Sequence, residues 1–403
     1  MTTGAPMRSR TAYRRLVAAV GVSGVGDGVR FAALPLLAAA VLDDGFQVAV
    51  VTAATTVPWL LFGLPAGVYA DRVERRRLMV LADVLRMATM SAAVLLLIAG
   101  WMSFWPLVGV ALLLGIGEVV FDCASFAYLP RVVAAEDLET ANGRLFAVQT
   151  IGRDLLGHLL GGVLFAVGRT VPFVLDAVSF AGSALVLRGL PDARPDPGSR
   201  TKPDLVAEIR QGIEFLLRDR LLRLITVSAG LINAVYLGQV AVFVLLVRDV
   251  LDLPSAAYGA LVAGGALGGV LGGVVAARAA RRFGRASTLG ASLALIGLAG
   301  VGVAATREVI VVALAYAASG MGVMMWNVIA VSLRQGVIPD HLLGRTTGAY
   351  RLVAWGMMPV GALALGAIGD AAGPRAAFLT GGALLLVLCL AVVPVLRRDP
   401  RTR

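Results

Sequence analysis

Apolar runs of about the length of a membrane-crossing helix follow one another along the whole chain, with short polar breaks between them. A helix needs about 20 mostly apolar residues to cross the hydrocarbon core. Runs of that kind lie at 16–42, 48–70, 78–100, 106–129, 145–167, 170–189, 224–247, 256–277, 286–305, 308–332, 349–369 and 376–396. The breaks carry turn formers: Asp43-Asp44-Gly45, Gly100, Pro106, Asp252 to Pro254, and Gly373-Pro374. The pattern predicts an all-α integral membrane protein with twelve transmembrane helices. An outer-membrane barrel would alternate residue by residue and give a much weaker signal.

One polar interruption is long. It opens with Pro191-Asp-Ala-Arg-Pro-Asp-Pro-Gly-Ser-Arg, a flexible linker composition. It continues with Leu205, Ile209, Ile213, Leu216 and Leu217 at helical spacing. That spacing predicts an amphipathic helix, lying either on the membrane surface or in a solvated loop. The chain therefore divides into a six-helix bundle over 1–190, a linker over 191–223 and a second six-helix bundle over 224–403.

Composition agrees. Of 403 residues, 58% are apolar and 15% charged, and the mean hydropathy is +0.85. Soluble domains run to roughly 25% charged residues, so a soluble enzyme with one anchor is excluded. The net charge of +11 would raise nucleic acid as a partner in a soluble protein. Here the placement of the charges matters more. Taken on alternate sides of the twelve runs, with Arg188 at the end of its run counted with the linker, Arg and Lys divide 28 against 4, and Arg30, Arg86, Arg153 and Arg351 lie deeper inside runs. Basic loops stay in the cytoplasm, so both termini and the linker are expected there, in a multi-pass protein of the inner or plasma membrane with no nucleic-acid partner. Arg8, Arg10, Arg14 and Arg15 precede a run too long for a signal peptide, which reads as an uncleaved first helix. Cys123 and Cys389 lie in apolar stretches, and His158 and His341 are far apart, so neither a disulfide framework nor a metal site is expected.

Gly67-Val-Tyr-Ala70-Asp71-Arg72-Val-Glu74-Arg75-Arg76 repeats 206 residues later as Gly273-Val-Val-Ala276-Ala277-Arg278-Ala-Ala-Arg281-Arg282. Both copies end an even-numbered run on the same side. Parallel repeats of this kind build transporters whose substrate site lies between the halves near mid-membrane.

The first copy resembles the motif between the second and third helices of the major facilitator superfamily: Gly67, Ala70, Asp71, Arg72, Arg75 and Arg76 match, while Tyr69 and Glu74 depart. Gly117-Glu118-Val-Val-Phe-Asp122 through Leu129-Pro130, then Ala141-Asn142-Gly143-Arg144, Pro172-Phe173 and Gly212-x-x-Phe215-Leu216, are similar to the branch of enterobactin exporters and macrolide efflux proteins. That branch usually has Gly-Pro in helix five, where this chain reads Gly157-His158. The resemblance implies a monomeric inner-membrane efflux carrier, coupled to protons and free of cofactors. It also implies a cytoplasmic latch at Gly67, Asp71, Arg72, Arg75 and Arg76, with Arg131 as the partner of Asp71. The alternative for these arginines is that they only fix topology.

Charges inside a membrane are costly and should face a partner or a cavity. They crowd into the N-terminal half: Asp27, Arg30, Asp83, Arg86, Glu118, Asp122, Arg153, Asp154, His158 and Asp176, with Arg351 in the other half. Glu118 and Asp122 are four apart on one helix face. Two neighbouring carboxylates in low dielectric resist joint ionisation, so one is expected to carry a proton. The alternative is that they pair with Arg30 and Arg153 and never titrate. Asp154 and His158, also four apart, are a second proton-relay candidate, against a single buried hydrogen bond. Asp27, among Gly24, Gly26 and Gly28, is a third, where small residues admit a helix or a ligand. Asp83 with Arg86 reads mostly as a structural ion pair. Arg153 and the neutral groups Asn233, Tyr236, Gln239, Trp326, Asn327 and Tyr350 are the candidates for gripping a small organic substrate.

Glycines at every fourth position from Gly264 to Gly273 predict a close helix-packing face; no Gly-Lys-Ser/Thr follows, so this is no phosphate loop or ATP motor. No Gly-x-Ser-x-Gly or His-Glu-x-x-His is present, which argues against an embedded enzyme. Proton-coupled export is the reading these observations favour. Uptake or exchange of a metabolite is the alternative, and a non-transporting sensor is a remote one.

Overall fold

The computed structural model describes residues 7–133, 138–191 and 205–402. Helices α1 (Met7–Val41), α2 (Gly45–Arg72), α3 (Arg75–Ile98) and α4 (Phe104–Tyr128) come first. Next is α5 (Leu138–Gln149), which continues through a π-helical segment, Thr150–Gly157, into α6 (His158–Val167), and then α7 (Val171–Arg188). After the linker come α8 (Leu205–Arg218), α9 (Arg220–Leu245), α10 (Ser255–Phe283), α11 (Arg285–Ala305), α12 (Val309–Val337), α13 (Asp340–Ala372) and α14 (Pro374–Arg398). Among the described residues twelve spans are long and apolar enough to cross a membrane, α5 to α6 counting as one. Among the described residues there is no strand. The all-α, twelve-span prediction holds.

Helices run past the apolar stretches that predicted them. α1 starts at Met7 and α13 at Asp340, well before the runs at 16 and 349. Hydropathy marks only the part of a helix that must sit in hydrocarbon, whereas i to i−4 bonding continues wherever nothing breaks it. The breaks are local. Gly284 and Gly373 each end one helix and begin the next at φ of 82° and 86°, a region open mainly to glycine.

Two compact units emerge. One comprises Met1–Leu42, Ala54–Thr201 and Ser255–Ala260; the other comprises Asp43–Ala53, Lys202–Pro254 and Leu261–Arg403. In the first, α1 packs along α7, and α3 packs on α4 and α7. Its apolar core joins Leu16, Met79, Phe121, Tyr128 and Leu145. In the second, α13 lies along α9, and α11 packs on both α12 and α14, around Leu222, Leu289, Leu293, Trp326 and Leu385. A Cβ on Gly268 or Gly272 would strike the main chain of Ala317 or Met321, so the glycine face of α10 is spent on α12, as predicted.

The linker forms the helix that its spacing predicts. α8 forms over Leu205–Arg218; the side chains of Leu205 and Ile209 lie outside the described residues, Leu217 is exposed, and the apolar positions between pack on protein. Leu216 is buried in the second unit's core, with Ile213 and Phe215 packed against it. Arg210, Glu214 and Arg218 lie on the outer face, with Arg210 3.0 Å from Glu214. An amphipathic stripe marks a face to be buried without saying whether lipid or protein covers it.

Candidate functional site

Seven charged side chains from five spans meet inside the first unit. On α1, Asp27 and Arg30 are a turn apart and 2.8 Å from each other. Arg30 also reaches Glu118 of α4 at 3.5 Å and Asp176 of α7 at 3.3 Å. On α3, Arg86 holds Asp83 at 2.5 Å and crosses to Asp27 at 3.3 Å. Arg153, on the π-helical segment, reaches the other oxygen of Glu118 at 3.0 Å. Arg30, Arg86, Asp83 and Asp176 are all at most 1% exposed. A guanidinium suits this work because its planar fork of donors serves several carboxylates at once and keeps its charge.

Aromatic rings and glycines complete the cage. The Arg86 guanidinium lies 4.6 Å from the Phe121 ring centre and 4.4 Å from that of Phe180. Phe31 is shared by Arg30 at 4.5 Å and Arg153 at 4.2 Å. Such contacts stabilise a desolvated cation by up to about 2 kcal/mol. Glycine makes the approach possible: a Cβ on Gly117 would meet Arg86 Cγ at 2.6 Å, and one on Gly157 would meet Gly28 Cα at 2.6 Å. The glycines around Asp27 thus admit a neighbouring helix.

The pairing is incomplete in two ways. Arg30 Nε, Arg86 Nε, Asp83 Oδ2 and Asp176 Oδ2 have no aligned hydrogen bond, although Arg30 Nε and Asp176 Oδ2 lie at ion-pair distance. Asp122 follows Glu118 by one turn of α4, and among the described residues no guanidinium reaches its carboxylate at ion-pair distance. Four carboxylates therefore share three guanidiniums, and Asp122 is a fifth beside them. Glu118 is paired with both Arg30 and Arg153, as the non-titrating alternative required, while Asp122 is left out.

The second proton-relay candidate is built differently from its expectation. The hydrogen bond that holds the His158 ring runs from Nδ1 to the main-chain oxygen of Asp154, at 2.8 Å, rather than to the carboxylate. The π-helical turn before it changes which groups meet at a spacing of four.

The neutral candidates of the second unit are dispersed. Asn233 Nδ2 donates to the Ala354 carbonyl at 2.9 Å and ties α9 to α13. Gln239 is buried against Gly300 and Gly381 with its amide nitrogen unpartnered. Trp326 is core, 1% exposed, and the Tyr350 ring lies 3.4 Å beneath the Arg334 guanidinium. Tyr236, at 41%, and Asn327 are exposed. At the latch, the side chains of Gly67, Asp71 and Arg72 lie outside the described residues. Arg75 is buried, and Arg131 ends a short 3-10 turn with its side chain exposed. Glu74, a departure from the motif, sits at the N-cap of α3 and pairs with Arg76 at 3.1 Å.

Against known proteins, residues 1–399 match the family model described as transmembrane secretion effector. The chain belongs to this family of the major facilitator superfamily. Like the rest of the superfamily it is a multi-pass membrane transporter, not an enzyme. The family's multidrug efflux pump Tap of Mycobacterium tuberculosis is 28% identical over 392 residues, covering 93% of this chain and 90% of Tap. Macrolide efflux protein A of Streptococcus pyogenes is 24% identical and covers 84% of each chain. The enterobactin exporter EntS of Shigella boydii is 26% identical and covers 98% and 95%. A mutant of the nucleoside transporter NupG shares the fold with a TM-score of 0.81 at 12% identity, covering 94% of this chain and 98% of that one.

Sequence reasoning treated Asp83–Arg86 as a separate structural pair and left Asp176 without a role. In the structure Asp83, Arg86 and Asp176 belong to the same cluster as Asp27. The signal available was the cost of so many charges within spans; spacing along one helix cannot say which charges on different helices meet.

Proposed function

We propose that the chain is a proton-coupled efflux carrier for small amphipathic organic compounds of drug, antibiotic or siderophore type. It would work as a monomer in the cell membrane, with both termini cytoplasmic and no resident cofactor. The names of the relatives, an efflux pump, a macrolide efflux protein and a siderophore exporter, support export. The observation that carries proton coupling is the charge balance of the buried cluster. With Asp122 added to the four paired carboxylates, two exceed the available guanidiniums. In a low-dielectric site such an excess is met most cheaply by bound protons.

Glu118 and Asp122 are the proposed exchange pair, with Asp27 and the Asp154–His158 region as fallback sites. Arg153 is the cluster's most exposed cation, its side chain 32% exposed, and it stands on the π-helical segment. A proton arriving on Glu118 loosens Arg153 while Arg30 stays fixed by Asp27 and Asp176. Arg153 is then left on the Phe31 face, able to respond to substrate. That is a differential contact between two states, which any coupling requires. In the second unit Asn233, Tyr236, Gln239, Trp326, Asn327 and Tyr350 are the proposed neutral contacts for the substrate.

The test uses purified protein in liposomes, with ethidium and erythromycin as probes. Glu118→Gln with Asp122→Asn should abolish uphill export driven by a pH gradient while downhill counterflow persists. Uphill export at the wild-type rate and pH dependence would move the proton site to Asp27 or to Asp154 with His158.

A further inference from the structure

A cavity of about 340 Å³ opens on the first unit where the N-terminal end of α3 meets the C-terminal end of α7. It is lined by Arg76, Arg77 and Arg188 and by Val80, Leu81 and Val84. That volume falls within the roughly 300–1,000 Å³ of ligand clefts. Among the described residues, the three guanidiniums meet one carboxylate, Glu74, which lies 3.1 Å from Arg76 and 2.5 Å from Arg77. The described part of the rim is therefore net positive. Arg76 is partly committed, since it also donates to the Leu190 carbonyl at 3.0 Å. Arg77 is 72% exposed, and Arg188, at the last residue of α7, is exposed. A fourth cation stands beside them: Arg15 donates to the carbonyl of Gly189.

The wall below the arginines is apolar. Arg77, Leu81 and Val84 follow one stripe of α3, and Leu81 is 65% exposed. From Arg77 to Val84 the stripe descends about 10 Å along the helix. Both helices are candidate spans, and the arginines stand at their ends. Cations at head-group level thus sit above an exposed apolar groove at acyl-chain level.

We propose that this cavity is a binding site for an anionic phospholipid, its phosphate held by Arg77 and Arg188 and a chain laid along Val80, Leu81 and Val84. Charge complementarity selects the head group, because basic pockets between spans favour anionic lipids. The apolar stripe selects a lipid over a free phosphate. That the lipid belongs to the cytoplasmic leaflet rests on the proposed orientation; the binding itself does not.

The full chain, purified in detergent, is titrated with dioleoyl phosphatidylglycerol and with dioleoyl phosphatidylcholine while native mass spectrometry counts bound lipid. The wild type should hold phosphatidylglycerol in preference to phosphatidylcholine, and inorganic phosphate should not displace it. Arg77→Gln with Arg188→Gln should weaken phosphatidylglycerol about 30-fold, or about 2 kcal/mol for two cations at about 1.4 kcal/mol per tenfold. Phosphatidylcholine binding and thermal unfolding should stay unchanged, which separates lost binding from lost fold. Equal affinity in wild type and variant, equal binding of the two lipids, or displacement by inorganic phosphate would each overturn the site. No arm measures transport, so failure of the efflux assignment would leave this result standing.

Discussion

Arg86 shows how much one buried side chain settles. It neutralises Asp83, crosses to Asp27 and lies between the rings of Phe121 and Phe180. Removing one partner of a buried pair costs roughly 3–5 kcal/mol, because the other charge is left uncompensated. Arg86→Gln should therefore lower thermal stability strongly in detergent, and so should Asp83→Asn. The double variant should recover much of the loss, since Asp27 keeps Arg30 at 2.8 Å. A double-mutant cycle measures this coupling; additive losses would show that Asp83 and Arg86 act independently. Single residues were partly legible in sequence. Charged residues inside apolar runs were conspicuous, and Glu118 and Asp122 stood out by spacing. That Arg86 serves Asp27, and that Asp176 serves Arg30, needed the neighbouring helices.

Among the elements, the ends of the second unit's helices are held by a clasp of charges. The Asp219 carboxylate caps α9, accepting from the Leu222 amide at 3.0 Å. Arg401 reaches Asp219 at 2.7 Å and Asp399 at 2.8 Å, joining the end of the chain to the start of α9. Partial burial pushes the Asp219 carboxyl up, but the hydrogen bonds from Arg401 and the Leu222 amide outweigh it and hold it below the ordinary range. Asp399 is held low first by its hydrogen bond from Arg401, against a smaller push from burial. Both folded values lie below the unfolded value of about 3.9. The clasp is therefore fully present above about pH 4 and is lost as pH falls through the folded values. Asp219→Ala should cost about 1 kcal/mol at neutral pH through the lost cap. Arg401→Ala should cost at most about 1 kcal/mol, because the pair is partly exposed, and should flatten the fall in stability below pH 4. Thermal unfolding followed from pH 7 to pH 3 checks both; an unchanged slope in Arg401→Ala would remove the clasp from the stability of this unit. The spans themselves were legible because hydrocarbon demands long apolar helices. The π-helical segment carrying Arg153 was not, since its one-residue shift leaves no mark in the periodicity of an apolar run.

For the molecule as a whole, orientation is the property on which the export proposal depends. The division of 28 basic residues against 4 favours the proposed orientation, with the linker and both ends in the cytoplasm. A cysteine replacing Arg210, on the exposed face of α8, should resist an impermeant thiol reagent in intact cells. One replacing Asp43, exposed between α1 and α2, should label. Labelling of position 210 from outside would invert the topology and turn the proposed export into uptake.

The sequence alone determined twelve helices in an all-α membrane protein, a linker helix with one apolar face, the glycine face of α10 and the membrane side of each loop as an expectation. These follow from solvation: whether a segment prefers hydrocarbon or water depends on its own composition. Tertiary structure alone decided what each apolar or charged face meets. It packed Ile213, Phe215 and Leu216 of the linker helix on the second unit's core, turned the His158 ring to a main-chain oxygen and joined Asp27, Asp83, Glu118 and Asp176 around three arginines. Pairing energies depend on distances of 3–4 Å between side chains far apart in the chain, and one-dimensional spacing carries no record of those distances.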